Sequence, residues 1–115
     1  EPLVSQVYIH GDRQKYVVAL VTLDEAEAQR IAKELGTDMA KLPTHPMVVL
    51  RINRAMEGAN ARLARFEQIK AHGILEEDFS IEADTLTPTL KIKRRAVAKQ
   101  YEARLAALYA EEPNP

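Results

Sequence analysis

The chain has 115 residues, of which 46% are hydrophobic and 29% charged, and its formal net charge is −1. This length predicts one domain, and the near-neutral charge argues against a protein whose overall field draws it to nucleic acid or to an anionic membrane. The absence of cysteine excludes a disulfide framework and a thiolate metal site, and no apolar run in the sequence is long enough to cross a bilayer.

The first predicted elements form a β-hairpin. Residues Val4–His10 alternate and are rich in β-branched and aromatic side chains, and Tyr16–Leu23, YVVALVTL, is an almost continuous apolar run. The intervening HGDRQK contains a turn signal at Gly11-Asp12. Because the second strand is apolar on both faces, we expect helices to cover the sheet.

The next predicted element is a helix over Asp24–Leu35. Asp24 is a suitable N-cap, and Glu27 three residues later completes the pattern of a capping box. Gly36 is a suitable stop at the C-terminal end. The apolar residues at helical spacing are Ala28, Ile31, Ala32 and Leu35.

A turn-rich linker, TDMAKLPTH, precedes a second and longer helix. Thr44 and Pro46 open this helix, since proline is favoured in the first turn. Gly58 lies inside its apolar stripe and weakens the prediction of an unbroken helix. The stripe consists of Val49, Ile52, Met56, Ala59, Leu63 and Phe66.

The last third of the chain predicts a strand, a loop and a helix. Glu67–Leu75 alternates loosely and can supply a third strand, and EEDFSIEAD is a loop or a short strand. Pro88 keeps Thr87 extended, so LTPT is not helical. Arg94–Tyr109 is a final amphipathic helix with Val97, Tyr101, Leu105 and Leu108 on one face. The order ββααβα predicts a small α+β domain, a three-stranded sheet covered by about three helices.

Most residue types that carry catalysis are poorly placed in this chain. His10, His45 and His72 have no second ligand at helical spacing, which argues against a metal site. Ser5 and Ser80 lack the flanking glycines of a nucleophile elbow, and no phosphate-binding glycine loop occurs. The residues by themselves therefore do not predict a complete enzyme.

A cluster of cations follows the proline turn in LTPTLKIKRR, Leu86–Arg95. Lys93, Arg94 and Arg95 fall at the start of the last predicted helix, where the helix dipole disfavours positive charge. Two interpretations stand: a solvated first turn, or a site for an anionic partner such as phosphate. A nucleic-acid patch is a weaker interpretation, because no aromatic residues interleave with the cluster.

LTPTLKIKRR resembles the C-terminal lysine motif of the adenylate-forming enzymes, in particular the long-chain fatty acyl-CoA synthetases. Thr89-Leu90-Lys91 stands where acetate- and medium-chain members carry serine-glycine-lysine. VSQVYIHGDRQKYVVALVTLD, Asn60–Leu75 and the closing YEARLAALY are also similar to that family. The resemblance implies that residues 1–115 are the C-terminal lid domain, with the large N-terminal adenylation domain, the hinge and its following hairpin absent from this chain.

The resemblance implies an AMP-forming acid–thiol ligase that activates a fatty acid with ATP and then transfers the acyl group to CoA. It assigns Lys91 as the catalytic lysine of the first half-reaction, on a supporting loop of Thr87, Pro88 and Thr89. Lys93, Arg94 and Arg95 are candidate phosphate contacts. ATP, CoA and Mg would serve the full-length enzyme, whereas none is expected to bind this fragment, which alone should be inactive.

The implied partners are the enzyme's own N-terminal adenylation domain and a long-chain fatty acid, with no nucleic acid. We expect a cytoplasmic protein without a transmembrane segment; peripheral association with the inner face of a membrane, through parts outside this chain, stays open. Two alternatives remain. One is the lid of a fatty acyl-AMP ligase that serves a carrier protein, and the other is a basic-patch module that binds nucleic acid or protein.

Overall fold

The computed structural model describes residues 1–11 and 14–110, except for the side chain of Phe66. Its strands and helices follow the predicted order, with two short 3-10 helices at Met39–Thr44 and Arg65–Glu67. The strands are β1 (Val4–His10), β2 (Val17–Leu23) and β3 (Ile69–Ile74), and the α-helices are α1 (Glu25–Leu35), α2 (Pro46–Asn60), α3 (Arg94–Gln100) and α4 (Glu102–Ala110). The α+β class is confirmed.

The sheet has the order β1-β2-β3, with β1 antiparallel and β3 parallel to the central strand. Tyr8 lies opposite Leu20 in the first pair, and Ala71 lies opposite Val18 in the second. The predicted hairpin and the third strand are therefore confirmed. The Asp12 half of the predicted turn lies outside the described residues.

One layer of helices packs on each face of the central strand, as its sequence predicted. Side chains alternate across a strand, so Ala19 and Val21 face one layer while Val18 and Leu20 face the other. All four are fully buried. The sheet thus separates two apolar cores instead of covering one.

The first core, here called the α1–α2 core, lies between β2 and the first two helices. Its buried members are Leu3, Ala19, Val21, Ala28, Ile31, Ala32, Leu42, Val48, Ile52, Met56, Ile69 and Ile74. The second, the α3–α4 core, lies on the opposite face, where the last two helices and residues 75–86 pack. Its buried members are Tyr8, Val18, Leu20, Leu75, Phe79, Leu86, Val97, Leu105 and Leu108.

The start of α1 shows half of the predicted capping box. The Asp24 carboxylate accepts a hydrogen bond from Glu27 N at 3.0 Å, as expected of an N-cap. The reciprocal bond is not formed, because Asp24 N donates to Leu3 O at 2.8 Å. The Glu27 carboxylate instead pairs with Arg30 and Arg51, and the Arg30 hydrogen bond is the main reason that the pKa of Glu27 is lowered.

The end of α1 is formed as the sequence predicted. Gly36 adopts a left-handed φ of 65°, which glycine accepts without a Cβ penalty. Its N–H donates to Lys33 O at 3.3 Å, and Thr37 N donates to Ala32 O at 3.0 Å. This pair of bonds is the Schellman arrangement.

The second helix is shorter than predicted. His45, and not Thr44, is the N-cap, and its Nδ1 accepts from Met47 N at 3.2 Å. The helix ends at Asn60, whose side-chain amide donates to Ile69 O and accepts from Ile69 N at 2.9 and 2.8 Å. This clamp directs the chain into β3, so Leu63 and Phe66 fall beyond the helix; the Phe66 side chain lies outside the description.

The buried face of α2 is also turned relative to the predicted stripe. Val48, Ile52 and Met56 are its buried residues, at a spacing of four. Val49 is half-buried and Ala59 is exposed. Gly58 does not interrupt the helix.

The last predicted helix is two helices. Tyr101 leaves helical geometry at φ −108° and ψ 25°, and this separates α3 from α4. Its ring packs on Phe79 with 6.4 Å between centroids. The predicted apolar face is otherwise kept, with Val97, Leu105 and Leu108 buried.

Candidate functional site

Lys91 lies in a small hairpin within the segment that connects β3 to α3. An isolated antiparallel bridge joins Leu86 and Ile92 and forms the stem. Thr87 N donates to Lys91 O at 2.8 Å, and Leu90 N donates to Thr87 O at 2.8 Å. The second bond defines a β-turn with Pro88 at the position where proline fixes φ favourably. The proline turn predicted from the sequence is thus a closed, hydrogen-bonded loop.

The Thr87 side chain fastens this loop internally. Its Oγ1 accepts from Lys91 N at 3.0 Å and lies 3.1 Å from Thr89 Oγ1. A threonine hydroxyl bonded to a nearby backbone N–H is a common local turn device. Of the three residues predicted as the supporting loop, Thr87 bonds the backbone of Lys91 directly, while Pro88 and Thr89 form the turn between them.

The hairpin is anchored in the domain through Thr85, which is 1% exposed. Its hydroxyl accepts from Ser80 N at 2.8 Å and donates to Ser80 O at 3.2 Å. Thr85 O in turn accepts from Lys93 N at 2.9 Å. Leu86, beside it, is buried in the α3–α4 core. The stem is thus fixed by both polar and apolar contacts.

Leu90 has an unusual conformation at the tip. Its φ is 63°, in the left-handed region that disfavours residues with a Cβ. This geometry fits a three-residue hairpin loop, in which glycine usually closes the turn. Leu90 is also 62% exposed. The sequence contains no glycine here to signal such a loop, so the left-handed residue was not predicted.

The Lys91 side chain is an exposed part of this hairpin. It is exposed, and across residues 1–11 and 14–110 no carboxylate or other group pairs with its ammonium. Its backbone is held while its charge is uncompensated. A lysine whose backbone is fixed and whose ammonium has no partner is suited to bind an anionic group on another surface.

The neighbouring cations differ in their surroundings. Lys93 Nζ pairs with the Asp84 carboxylate. The Arg94 guanidinium lies 4.8 Å above the centroid of the Tyr8 ring, a cation–π distance, and donates to Ile9 O. Both cations thus hold the start of α3 onto neighbouring segments. Burial raises the pKa of Tyr8, while the Arg94 charge acts in the opposite sense.

Arg95 resembles Lys91 in its surroundings. It is exposed, and its side chain has no ion pair or hydrogen bond to the portion of the chain that the structure describes. Lys93, the N-cap of α3, makes no side-chain capping bond, and no acidic residue lies in the first turn. The hairpin and the first turn of α3 therefore present two uncompensated cations, Lys91 and Arg95.

The histidines and serines of the sequence are integrated into the fold. His10 Nδ1 lies 2.8 Å from the Tyr8 hydroxyl, His45 caps α2 and His72 lies in β3. Ser5 Oγ donates to an Asp78 carboxylate oxygen at 2.7 Å. Over the described ranges, no three His, Cys, Asp or Glu side chains are grouped so as to hold a metal ion. No helix there is long and apolar enough to span a membrane.

Comparison with known proteins gives a consistent result. The family model described as the AMP-binding enzyme C-terminal domain matches residues 1–113. The long-chain-fatty-acid–CoA ligase FadD15 of Mycobacterium tuberculosis is 35% identical over 96% of this chain and 19% of its own length. Long-chain-fatty-acid–CoA ligase 6 of Homo sapiens is 33% identical over 93% of this chain and 16% of its own.

Solved structures agree on the fold. The adenylation domain of a carboxylate reductase from Mycobacterium chelonae superposes with a TM-score of 0.65 at 25% identity, over 96% of this chain and 16% of that one. The A-PCP didomain of a carboxylic acid reductase from Segniliparus rugosus, in complex with AMP, gives 0.58 at 30% identity, over 95% and 14%. The present chain spans less than a fifth of these proteins and of the two ligases. It belongs to the family of C-terminal domains of AMP-binding enzymes.

Proposed function

We propose that this chain is the mobile C-terminal domain of a long-chain fatty acid–CoA ligase and that it supplies Lys91 to the adenylation step. The observation that carries the proposal is the hairpin geometry: the backbone of Lys91 is fixed by Thr87, while its ammonium has no partner in the described residues. The names of FadD15 and its human relative, both fatty-acid–CoA ligases, support the substrate class.

The reaction has two balanced steps. In the first, an oxygen of the fatty carboxylate attacks the α-phosphorus of ATP, and pyrophosphate leaves with the bonding electrons. In the second, the CoA thiolate attacks the acyl carbonyl carbon, and AMP leaves to give the thioester. Negative charge is redistributed over phosphate oxygens in the first step, and a positioned cation stabilises it.

Lys91 acts in the first step only. The ammonium would enter the site of the large domain, contact the attacking carboxylate and the α-phosphate, and withdraw when the small domain turns to present another face for thioester formation. Arg95, exposed near the same hairpin, adds positive potential to this approach. Lys93 and Arg94 support the hairpin through their pairs with Asp84 and Tyr8.

A carrier protein is the second candidate acceptor of the acyl group, because the structural relatives include the A-PCP didomain of a carboxylic acid reductase. The lid of a fatty acyl-AMP ligase would use the same lysine in the first step and a phosphopantetheine thiol on a carrier protein in the second. Incubation of the intact enzyme with either CoA or a carrier protein distinguishes the two products.

The test is Lys91→Ala in the intact enzyme, with the half-reactions assayed separately. Loss of one well-placed charge contact is expected to slow pyrophosphate release roughly a hundred- to thousand-fold. Conversion of a supplied acyl-adenylate to acyl-CoA should continue at a near-normal rate. Lys99→Ala is the matched control, since Lys99 is also exposed and has no partner in the described part of the chain.

Two outcomes would contradict the assignment. An equal loss in both half-reactions would make Lys91 a folding or docking residue. Unchanged pyrophosphate release would show that the resemblance does not extend to this lysine. Lys91→Arg should restore little activity, because a planar guanidinium approaches oxygens in a different geometry from an ammonium.

A further inference from the structure

Leu90 combines two features that are each unfavourable in an isolated domain. It adopts a left-handed φ of 63°, and its side chain is 62% exposed. The other large apolar side chains at the surface of the described residues are less exposed, between 41% and 56%. Among the described residues, Asp84 is the other non-glycine residue with positive φ, and aspartate tolerates this region better than leucine.

The loop itself imposes the strained backbone. The bonds from Thr87 N to Lys91 O and from Leu90 N to Thr87 O close the turn on both sides, and the Leu86–Ile92 bridge fixes its ends. Glycine or asparagine at this position would satisfy the same loop with less strain. The turn geometry therefore does not explain why a leucine stands here, and Leu90 belongs to neither of the two apolar cores formed by the described residues. Strained residues of this kind concentrate at functional sites.

We propose that Leu90 is a positioning residue that docks into an apolar recess of the enzyme's large domain when Lys91 enters the active site. This inference rests on the proposed function, since it concerns the closed state in which Lys91 acts. Consecutive Cα atoms are about 3.8 Å apart, which brings Leu90 close to any surface that receives Lys91. Leu90 would contact the protein wall of the large domain beside the active site. It would not contact the substrates, whose reacting groups near Lys91 are a carboxylate and a phosphate.

Docking of Leu90 would help to position the flexible side chain of Lys91. The Lys91 side chain has several rotatable bonds and no partner among the described residues, so it loses conformational freedom when it is held in one position. A buried leucine next to it fixes the position of the loop in the closed state, where a small misplacement slows chemistry strongly. Burial of the exposed part of one leucine corresponds to roughly a tenfold to hundredfold change in the population of the closed state.

The experiment compares Leu90→Asn, Leu90→Gly and Leu90→Met in the intact enzyme. Asparagine approximates the shape of leucine and suits the left-handed backbone but is polar; methionine is apolar but keeps the strain. We expect kcat/KM for pyrophosphate release to fall tenfold or more in Leu90→Asn and Leu90→Gly and to stay within about threefold in Leu90→Met. The loss should lie in kcat, with ATP affinity and conversion of supplied acyl-adenylate little changed.

The opposite order overturns the inference. If Leu90→Asn and Leu90→Gly match or exceed the natural enzyme, the side chain makes no productive contact and the loop shape alone matters. If all three variants fall alike, or both half-reactions fall together, Leu90 has no apolar positioning role. Amide exchange of residues 86–93 checks that the turn persists; glycine, which fits it without strain, remains the decisive variant if asparagine disturbs it.

Lys91→Ala, measured in parallel, separates the two proposals. Should that variant keep normal pyrophosphate release, the proposed function fails. Should it lose activity while Leu90→Asn stays normal, only the role of Leu90 fails.

Discussion

Thr85→Val is expected to loosen the stem of the Lys91 hairpin without changing the size of the side chain. The hydroxyl of Thr85 is the one described acceptor for Ser80 N, at 2.8 Å, whereas Ser80 O keeps its bonds from Thr85 N and Leu86 N at 3.0 Å each. Valine at position 85 therefore leaves Ser80 N–H without an acceptor among the described residues. An unsatisfied donor of this kind costs about 1–2 kcal/mol when its residue is half-buried.

The same change at Thr22 is the matched control. Thr22 is 0% exposed, and its hydroxyl accepts from Gln6 N at 3.0 Å beside the irregular register of β1 and β2. Thr22→Val should therefore lose a similar free energy of unfolding. It lies in β2, away from the hairpin, so it should leave pyrophosphate release in the intact enzyme unchanged.

Urea unfolding of residues 1–115, followed by circular dichroism, measures the free energy of unfolding of the parent domain and of both valine variants. We expect a cooperative transition for the parent domain and a loss of about 1–2 kcal/mol for both variants, or roughly 4–10 °C in Tm. In the intact enzyme, Thr85→Val should slow pyrophosphate release about tenfold, through misplacement of Lys91. A fully stable Thr85→Val domain, or equal activity losses in both valine variants, would refute this reasoning.

The remaining predictions concern glycine, tyrosine and ligand binding. Gly36→Ala should destabilise the domain by about 1 kcal/mol, because the φ of this residue is 65°. Gly58→Ala lies in a helix with open space around the added Cβ, and should stabilise the domain by about 0.5–1 kcal/mol. A change in Tm of the same sign for both variants would contradict this expectation. Burial raises the pKa of Tyr8, so its protonated hydroxyl contributes stability that is complete below a pH of about 10 and is lost as the pH rises through the raised pKa. Tyr8→Phe should therefore make the decline of the unfolding free energy at alkaline pH shallower. An unchanged slope would count against this prediction. Calorimetry should detect no micromolar binding of ATP to residues 1–115, since Lys91 and Arg95 are two exposed cations without an enclosing phosphate loop. A micromolar dissociation constant would contradict the proposal that ATP binds in the large domain.

Local patterns predicted much of the fold. The apolar run of β2 implied cover on both faces, and the Asp24 and Gly36 signals set the ends of α1, because each acts through bonds within a few residues. The end of α2 was missed because it depends on Asn60 bonding to Ile69, a contact across nine residues whose partner no periodicity reveals. The break at Tyr101 has neither glycine nor proline to mark it.

The sequence proposed the centre of the candidate site but not its surroundings. The resemblance of LTPTLKIKRR pointed to the loop and to Lys91, whereas the partners of the neighbouring cations come from distant segments. Lys93 meets Asp84, and Arg94 meets Tyr8 at the other end of the chain. Such pairings require the tertiary structure, so the sequence left three adjacent cations looking equivalent when two of them are internally paired.

The parallel pairing of β2 with β3 has a consequence for the order in which the domain folds. The β1–β2 hairpin closes over a short loop, an event on the microsecond scale, whereas β3 can join only after residues 24–68 have been arranged. Closing that long segment is the slower, entropically costly step. The α3–α4 core needs both β2 and the residues after β3, so we expect the hairpin that carries Lys91 to be among the last parts to form, and its amides to be among the first to exchange when the native domain opens.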